Sequence, residues 1–312
     1  MSLLLLDTVS YPPTSDRLDG ALCIIGAYPG GPRPYAANNV LFLDELDVLD
    51  EATQDAAIAA VKDRGYDHIP LGPLVAAGYH HDYPDTNWIA DPSPLLRLMH
   101  KVRRAGLRIV YTALPDVEPY YHTDDRNGGT WDWALIERDF TPIYTRPEFQ
   151  ALVEDVQHGW ENICTNAEFV RAFTYLTRVF PTQRRWWHSW PGHSAPGLSS
   201  EPLTEAQMVA NVKAAGCTGF FPQFEQRGFP DTHRDVNGRT PLESFCYDVR
   251  DFIRHLRDGY GGWPGGMDFR PREYAAYWIY NDGYPETCTP SDWGQAARDN
   301  GALGAMDGGP RA

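Results

Sequence analysis

Three acidic side chains stand beside strand-like apolar runs: Glu161 in Gly159-Trp-Glu161, Glu225 in Gln223-Phe-Glu225, and Asp282 in Tyr280-Asn-Asp282. Two carboxyl groups can cleave a glycosidic bond. One protonates the leaving oxygen and the other acts as base or nucleophile, at separations of about 5–5.5 Å for retention or about 6.5–9.5 Å for inversion. Glu161 suits the proton donor, because an indole neighbour such as Trp160 raises a carboxyl pKa. It also suits a helix N-terminal carboxylate ahead of residues 162–165. The second carboxylate is open between Glu225 and Asp282. Asp116, in Leu-Pro-Asp, reads either as a strand-end ligand or as ordinary turn chemistry.

Around these acids lie Tyr28, His81, Asp82, Trp160, His188, His193, Gln223 and Asn281. Aromatic rings cover the apolar faces of sugars, and carboxylates, amides and imidazoles pair with hydroxyls. The mixture predicts a polar, carbohydrate-sized ligand and not a nucleotide phosphate. His80, His81, Asp82 and Asp85 are of metal-ligand type, but neighbours on a strand point apart and no HExxH is present. No metal is expected. Gly259-Tyr-Gly-Gly-Trp-Pro-Gly-Gly266 follows a helix, so it reads as a loop, and neither GxxxxGK[ST] nor GxSxG occurs. No cofactor is expected.

Composition narrows the partners. Lys and Arg total 27 against 42 Asp and Glu, a formal charge of −15 over 312 residues. Without a basic run, a grip on nucleic-acid phosphates or anionic membranes is not expected. No apolar stretch approaches the roughly 20 residues that span a bilayer, and the opening MSLLLLDTVS has no basic region of a signal peptide. Five scattered cysteines without CxxC spacing argue against a zinc ribbon or disulfide scaffold and point to folding in a reducing cytoplasm.

The elements that must position these residues alternate between strand and helix. Strands are expected at 21–28, 67–75, 107–114, 156–161, 184–190, 217–224, 274–280 and 302–306. Helices are expected at 50–65, 92–106, 148–153, 166–180, 204–216, 242–259 and 292–300. In the first helix Ala56, Ile58, Ala59, Val61 and Lys62 have helical spacing. In the second, Leu95, Leu96, Leu98, Met99 and Val102 form a buried stripe. Eight strands with intervening helices favour an α/β fold of the (β/α)8 TIM-type barrel, irregular at strands four and eight. A single domain is expected over 1–312, with 1–18 an extension and 307–312 a tail. Barrel chemistry gathers on the loops after the strands, which is where the candidates above fall. In Trp186-Trp187, alternate rings should face the barrel interior and the helix layer.

The order of segments resembles bacteriophage-encoded proteins of glycoside-hydrolase-like barrel type. The resemblance is carried by Gly159-Trp-Glu161, Trp187-His-Ser-Trp-Pro-Gly-His193, Thr218-Gly-Phe-Phe-Pro-Gln223, Tyr274–Asp282 and Gly301–Gly308, with a looser match through 65–116. It implies a barrel in a virion or tail, made in the host cytoplasm. The implied partners are host-surface glycan or polysaccharide and other virion proteins; a homo-oligomer is compatible. The related barrels would carry a glutamate after strand seven, where this chain has Tyr280-Asn281-Asp282. Two functions follow: a particle protein that binds carbohydrate without catalysis, or an active glycoside hydrolase.

Overall fold

Asp50 sets the first helix. Its carboxylate accepts from the Thr53 backbone N–H at 2.9 Å and the Thr53 hydroxyl at 2.7 Å, satisfying donors that a helix start leaves unpaired. The helix α1 spans Glu51–Asp63. In the computed structural model the described residues are 11–14, 17, 19–21, 23–25, 40–43, 46, 49–72, 89–114, 122–123, 130–159, 164–187, 203–220, 223–225, 238, 277–280, 295, 298–299 and 303–307.

The elements in chain order begin with β1 (Gly20–Ala21). β2 (Cys23–Ile25) and β3 (Val40–Phe42) follow, then α1 and β4 (His68–Leu71). Next come α2 (Ser93–Arg104), β5 (Arg108–Thr112), and a short pair, β6 (His122–Thr123) and β7 (Thr130–Trp131). Three short helices, α3 (Trp133–Asp139), α4 (Thr141–Tyr144) and α5 (Pro147–Leu152), lead to β8 (Asp155–Gln157). The chain continues through α6 (Asn166–Val179), β9 (Arg184–Trp187), α7 (Glu205–Ala214), β10 (Gly219–Phe220) and β11 (Gln223–Glu225). It ends with β12 (Tyr277–Tyr280) and β13 (Ala305–Asp307). Positions 295, 298 and 299 of the expected 292–300 helix are helical; the expected 242–259 helix lies outside the described residues.

One parallel sheet has the order β10-β9-β8-β5-β4-β1-β13-β12-β11. The pairs beside β8 carry the register Thr112↔Gln157 and Gln157↔Trp186. The expected first strand divides. Gly20–Ala21 joins the parallel sheet, while β2 pairs antiparallel with β3, Ile24 opposite Leu41. The apolar run Val40-Leu-Phe offers a better partner than continued parallel pairing, a non-local choice that a local pattern does not reveal. β8 starts one residue before the expected boundary and ends at Gln157. β13 includes Asp307, which was expected to open the tail.

The stripe on α2 is buried as expected, joined by Arg103. On α1 the buried face is Thr53, Gln54, Ala57, Ile58 and Val61, leaving Ala56, Ala59 and Lys62 exposed. Gln54 tolerates burial because its amide donates to the Leu46 and Leu49 carbonyls at 2.9 and 3.0 Å. Asp132 caps α3 by accepting from Ala134 and Leu135 N–H, both at 3.1 Å. Gly216 ends the turn after α7 at φ 108°, where an added Cβ would lie 2.0 Å from Thr177 Oγ1. Only glycine fits both conditions.

The two faces of the sheet differ chemically. Ile69, Leu71, Ile109, Tyr111, Val156 and Trp187 join the helix-side core with Leu98, Met99, Phe169, Phe173 and Leu176. Tyr111 packs edge-on against Tyr144 and Phe149, with centroids 5.6 and 5.1 Å apart. A fully buried phenylalanine such as Phe149 contributes about 1.5–3 kcal/mol. The alternate residues Arg108, Thr112, Asp155, Gln157, Arg184 and Trp186 hydrogen-bond one another on the opposite face. The indoles divide as expected: Trp187 lies 5.0 Å from Phe169, and Trp186 donates to Asp155.

Candidate functional site

Parallel strands place all their C-terminal ends on one rim. Among the described residues this rim carries Gly72, Thr112, Gln157, Trp187, Glu225, Tyr280 and Asp307. Glu225 is the last residue of β11 and is in register with Tyr280, the last of β12. Gln223 opens β11 opposite Trp278. The structure therefore brings the backbone of Glu225 beside the strand end that leads directly to Asn281 and Asp282. Glu161, Trp160, Tyr28, His81, Asp82, Asp116, His188, His193, Asn281 and Asp282 lie outside the described residues. In sequence, Glu161 follows Gln157 by four residues, Asp116 follows Thr112 by four, and His188 follows Trp187 directly.

The segment that leads to Trp160 and Glu161 is firmly based. Beyond β8, His158 N–H donates to the Trp186 carbonyl at 3.3 Å, and the His158 carbonyl accepts from Leu114 at 2.8 Å. The ladder thus continues past Gln157 on both sides. The His158 ring is fully buried on the helix side, 5.3 Å from Phe169 and 5.9 Å from Phe173. Its Nδ1 and Nε2 are not at the rim. Thr165 then caps α6 by accepting from Glu168 N–H at 3.2 Å.

The sequence reading missed the polar interior. Asp155 is fully buried and accepts from Arg108 at 3.1 and 2.9 Å, and from Arg184 at 2.6 and 3.1 Å. Its fifth donor is the Trp186 indole at 2.9 Å. Burial pushes this carboxyl up. The Arg184 charge and hydrogen bonds, the Arg108 charge and the indole together outweigh burial and hold it below the usual carboxylate range. A carboxylate committed in this way cannot deliver a proton near neutrality. It also sits at the strand start, the end of such folds that serves stability. The same end holds Tyr11, Thr14 and Arg17: Thr14 donates to Glu154 at 2.8 Å, Tyr11 hydrogen-bonds His100, and Arg17 lies 3.3 Å from Asp67. A strand read from Val156 onward could not reveal Asp155 as a ladder residue; Arg108, Arg184 and Asp155 at matching strand starts are the signal that could have.

Toward the rim, Gln157 donates its amide to Thr112 Oγ1 at 2.7 Å. A Cβ on Gly72 would lie 3.0 Å from the Thr112 Cβ, so bare backbone packs against this pair. Among the described residues no group of three or more His, Cys, Asp or Glu side chains could hold a metal ion. No described helix is long and apolar enough to cross a membrane.

No protein-family model and no curated protein matches the sequence. The structure is similar to the exo-β-1,4-mannosidase Op5Man5 from Opitutaceae bacterium strain TAV5, with a TM-score of 0.55 and 14% identity. The alignment covers 96% of this chain and 54% of that one, so the chain spans about half of that enzyme's length. A glycoside hydrolase family 5 mannosidase from Rhizomucor miehei aligns at a TM-score of 0.48 and 12% identity, covering 86% of this chain and 78% of that one. Cel5A from Thermotoga maritima, solved with mannotriose, aligns at 0.46 and 10%, covering 95% and 91%. The likeness to the Opitutaceae enzyme is one of fold: parallel strands alternating with helices, as in TIM-barrel proteins.

Proposed function

We propose that the parallel sheet closes into a (β/α)8 barrel whose C-terminal rim binds carbohydrate and hydrolyses a glycosidic bond. The observation that carries this is the strand order. Its two ends, β10 and β11, are separated by two residues of one chain segment. That segment pairs with β9 through Gly219–Phe220 and with β12 through Gln223–Glu225. β13 pairs with β1, and β1 with β4. A ring of eight strands follows, with the segments bearing Glu161, Glu225 and Asp282 all leaving its same end.

Glu161 is the general acid that protonates the glycosidic oxygen as the bond to the anomeric carbon breaks. Glu225 or Asp282 either attacks that carbon or takes a proton from the attacking water. Tyr28, Trp160, His81, Asp82, Asp116, His188, His193, Gln223 and Asn281 hold the sugar. The mannosidase fold likeness makes β-1,4-linked mannan and glucan oligosaccharides the first substrates to try. The experiment measures reducing ends released by the purified chain and by Glu161→Gln. The reading expects release by the former, none by the latter, and sugar binding by both. Equal release by both removes Glu161 from the chemistry.

A second reading is favoured by the end of β12, where Tyr280 is followed by Asn281-Asp282 in place of the glutamate that related barrels carry. Here the barrel is a phage virion or tail component that binds host glycan without cleaving it. Binding without any release of reducing ends distinguishes it.

A further inference from the structure

Gln157 is fully buried at the C-terminal end of β8, and its Oε1 has no hydrogen-bond partner. The other end of its amide is fixed by Thr112 Oγ1, itself on the buried last residue of β5. Register places the two residues side by side, with Trp186 next in line on β9. Alternation along β8 puts Gln157 on the same face as Asp155, opposite the helix-side Val156. Rotating the amide by 180° would exchange an unpaired carbonyl for an unpaired NH2 group. One polar atom at this position lacks a partner in either orientation.

A buried amide left half-satisfied costs free energy, and a chain retains one where a partner arrives later or where the group serves a site. A methionine would fill the same volume without that penalty. Asp155, two residues earlier on the same face, shows the contrast: all its hydrogen-bonding capacity is engaged by Arg108, Arg184 and Trp186. The polar column is thus fully paired at the strand starts and half-paired at Gln157. The geometry points to Gln157 as a sugar-hydroxyl ligand at the floor of the rim, oriented by Thr112. A hydroxyl both donates and accepts, so it completes the amide in either orientation. This assignment rests on the carbohydrate reading and names one of its binding residues.

The test titrates β-1,4-mannotriose and cellotriose into the full chain, into Gln157→Met, and into Thr112→Val/Gln157→Met, which removes both ends of the internal hydrogen bond. Thermal midpoints are measured in parallel. The expected result is affinity about tenfold weaker in both variants, equivalent to about 1.4 kcal/mol, at midpoints equal to or above the parent's. A structural glutamine would instead lower the midpoint and leave affinity unchanged, which overturns the assignment alone. Failure of both variants to fold overturns it as well. If the parent binds neither sugar, the carbohydrate reading falls and takes this inference with it.

Discussion

Replacing Asp155 by asparagine tests the polar interior most sharply. The carboxylate has no exposed side-chain surface, while the side chains of Arg108 and Arg184 are 8% and 30% exposed. Asparagine can still accept from the Trp186 indole, but it removes the buried charge that both guanidinium groups share, while Arg108 keeps Glu154 at 3.6 Å. Breaking a buried ion pair by removing one partner typically costs about 3–5 kcal/mol. In a chain of this size that lowers the thermal midpoint by roughly 5–8 °C. The pH dependence has a definite sign. The folded Asp155 carboxyl is held below its usual range, so its contribution is complete above the ordinary aspartate value of about 3.9. It is lost as pH falls through the lower folded value. Urea unfolding of the parent and Asp155→Asn should show the full gap at pH 7 and a shrinking gap on strong acidification. Arg184→Met in the Asp155→Asn background should cost less than in the parent, with a coupling of about 1–3 kcal/mol. A gap below about 1 kcal/mol at pH 7, or one unchanged by acid, would refute the account of this cluster.

Gly216→Ala meets both a positive φ and the Thr177 hydroxyl. It should destabilise by about 1–3 kcal/mol in urea unfolding, and Thr177→Ala should relieve only the steric part. A neutral Gly216→Ala would show that the turn relaxes. Thr204 caps α7 and forms a reciprocal pair with Gln207, so Thr204→Ala should lower stability by about 1 kcal/mol. No change in the urea midpoint would deny that the cap contributes. Cys217 is buried, and burial pushes its thiol up to about 12. Peptide-resolved alkylation at pH 8 should leave it unlabelled in the native chain and label it in denaturant. Rapid native labelling would place it at the surface instead.

How much of this was legible in the sequence depends on what each element needs. The α2 stripe from Leu95 to Val102 and the stops at Gly65, Gly106 and Gly216 are local signals, and the structure follows them. The alternation of strands and helices is local as well. Its consequence, a parallel sheet in nearly sequential order, follows from short connections between neighbours. On α1 the helix was legible but its buried face was not, because Thr53 and Gln54 are buried with hydrogen bonds to Asp50, Leu46 and Leu49. Hydrophobic periodicity carries no trace of that satisfaction. The departure at Cys23–Ile25 depends on a partner strand 15 or more residues away. The helices of 133–144 were missed because their anchors, Asp132 and the buried Phe140 and Tyr144, form no long periodic run. The candidate site was legible only as chemistry at strand ends. Glu225 ends β11, but Gln223 opens that strand instead of following one, while Gln157 and Thr112 were missed because neither is charged or aromatic.

Hydrolysis at the rim requires Glu161 and a second acid to face one sugar. A crystal structure of the chain would give the separation of the Glu161 carboxyl from those of Glu225 and Asp282. At least one separation should fall between about 5 and 9.5 Å. Both well beyond about 10 Å would contradict paired-carboxylate hydrolysis by this protein.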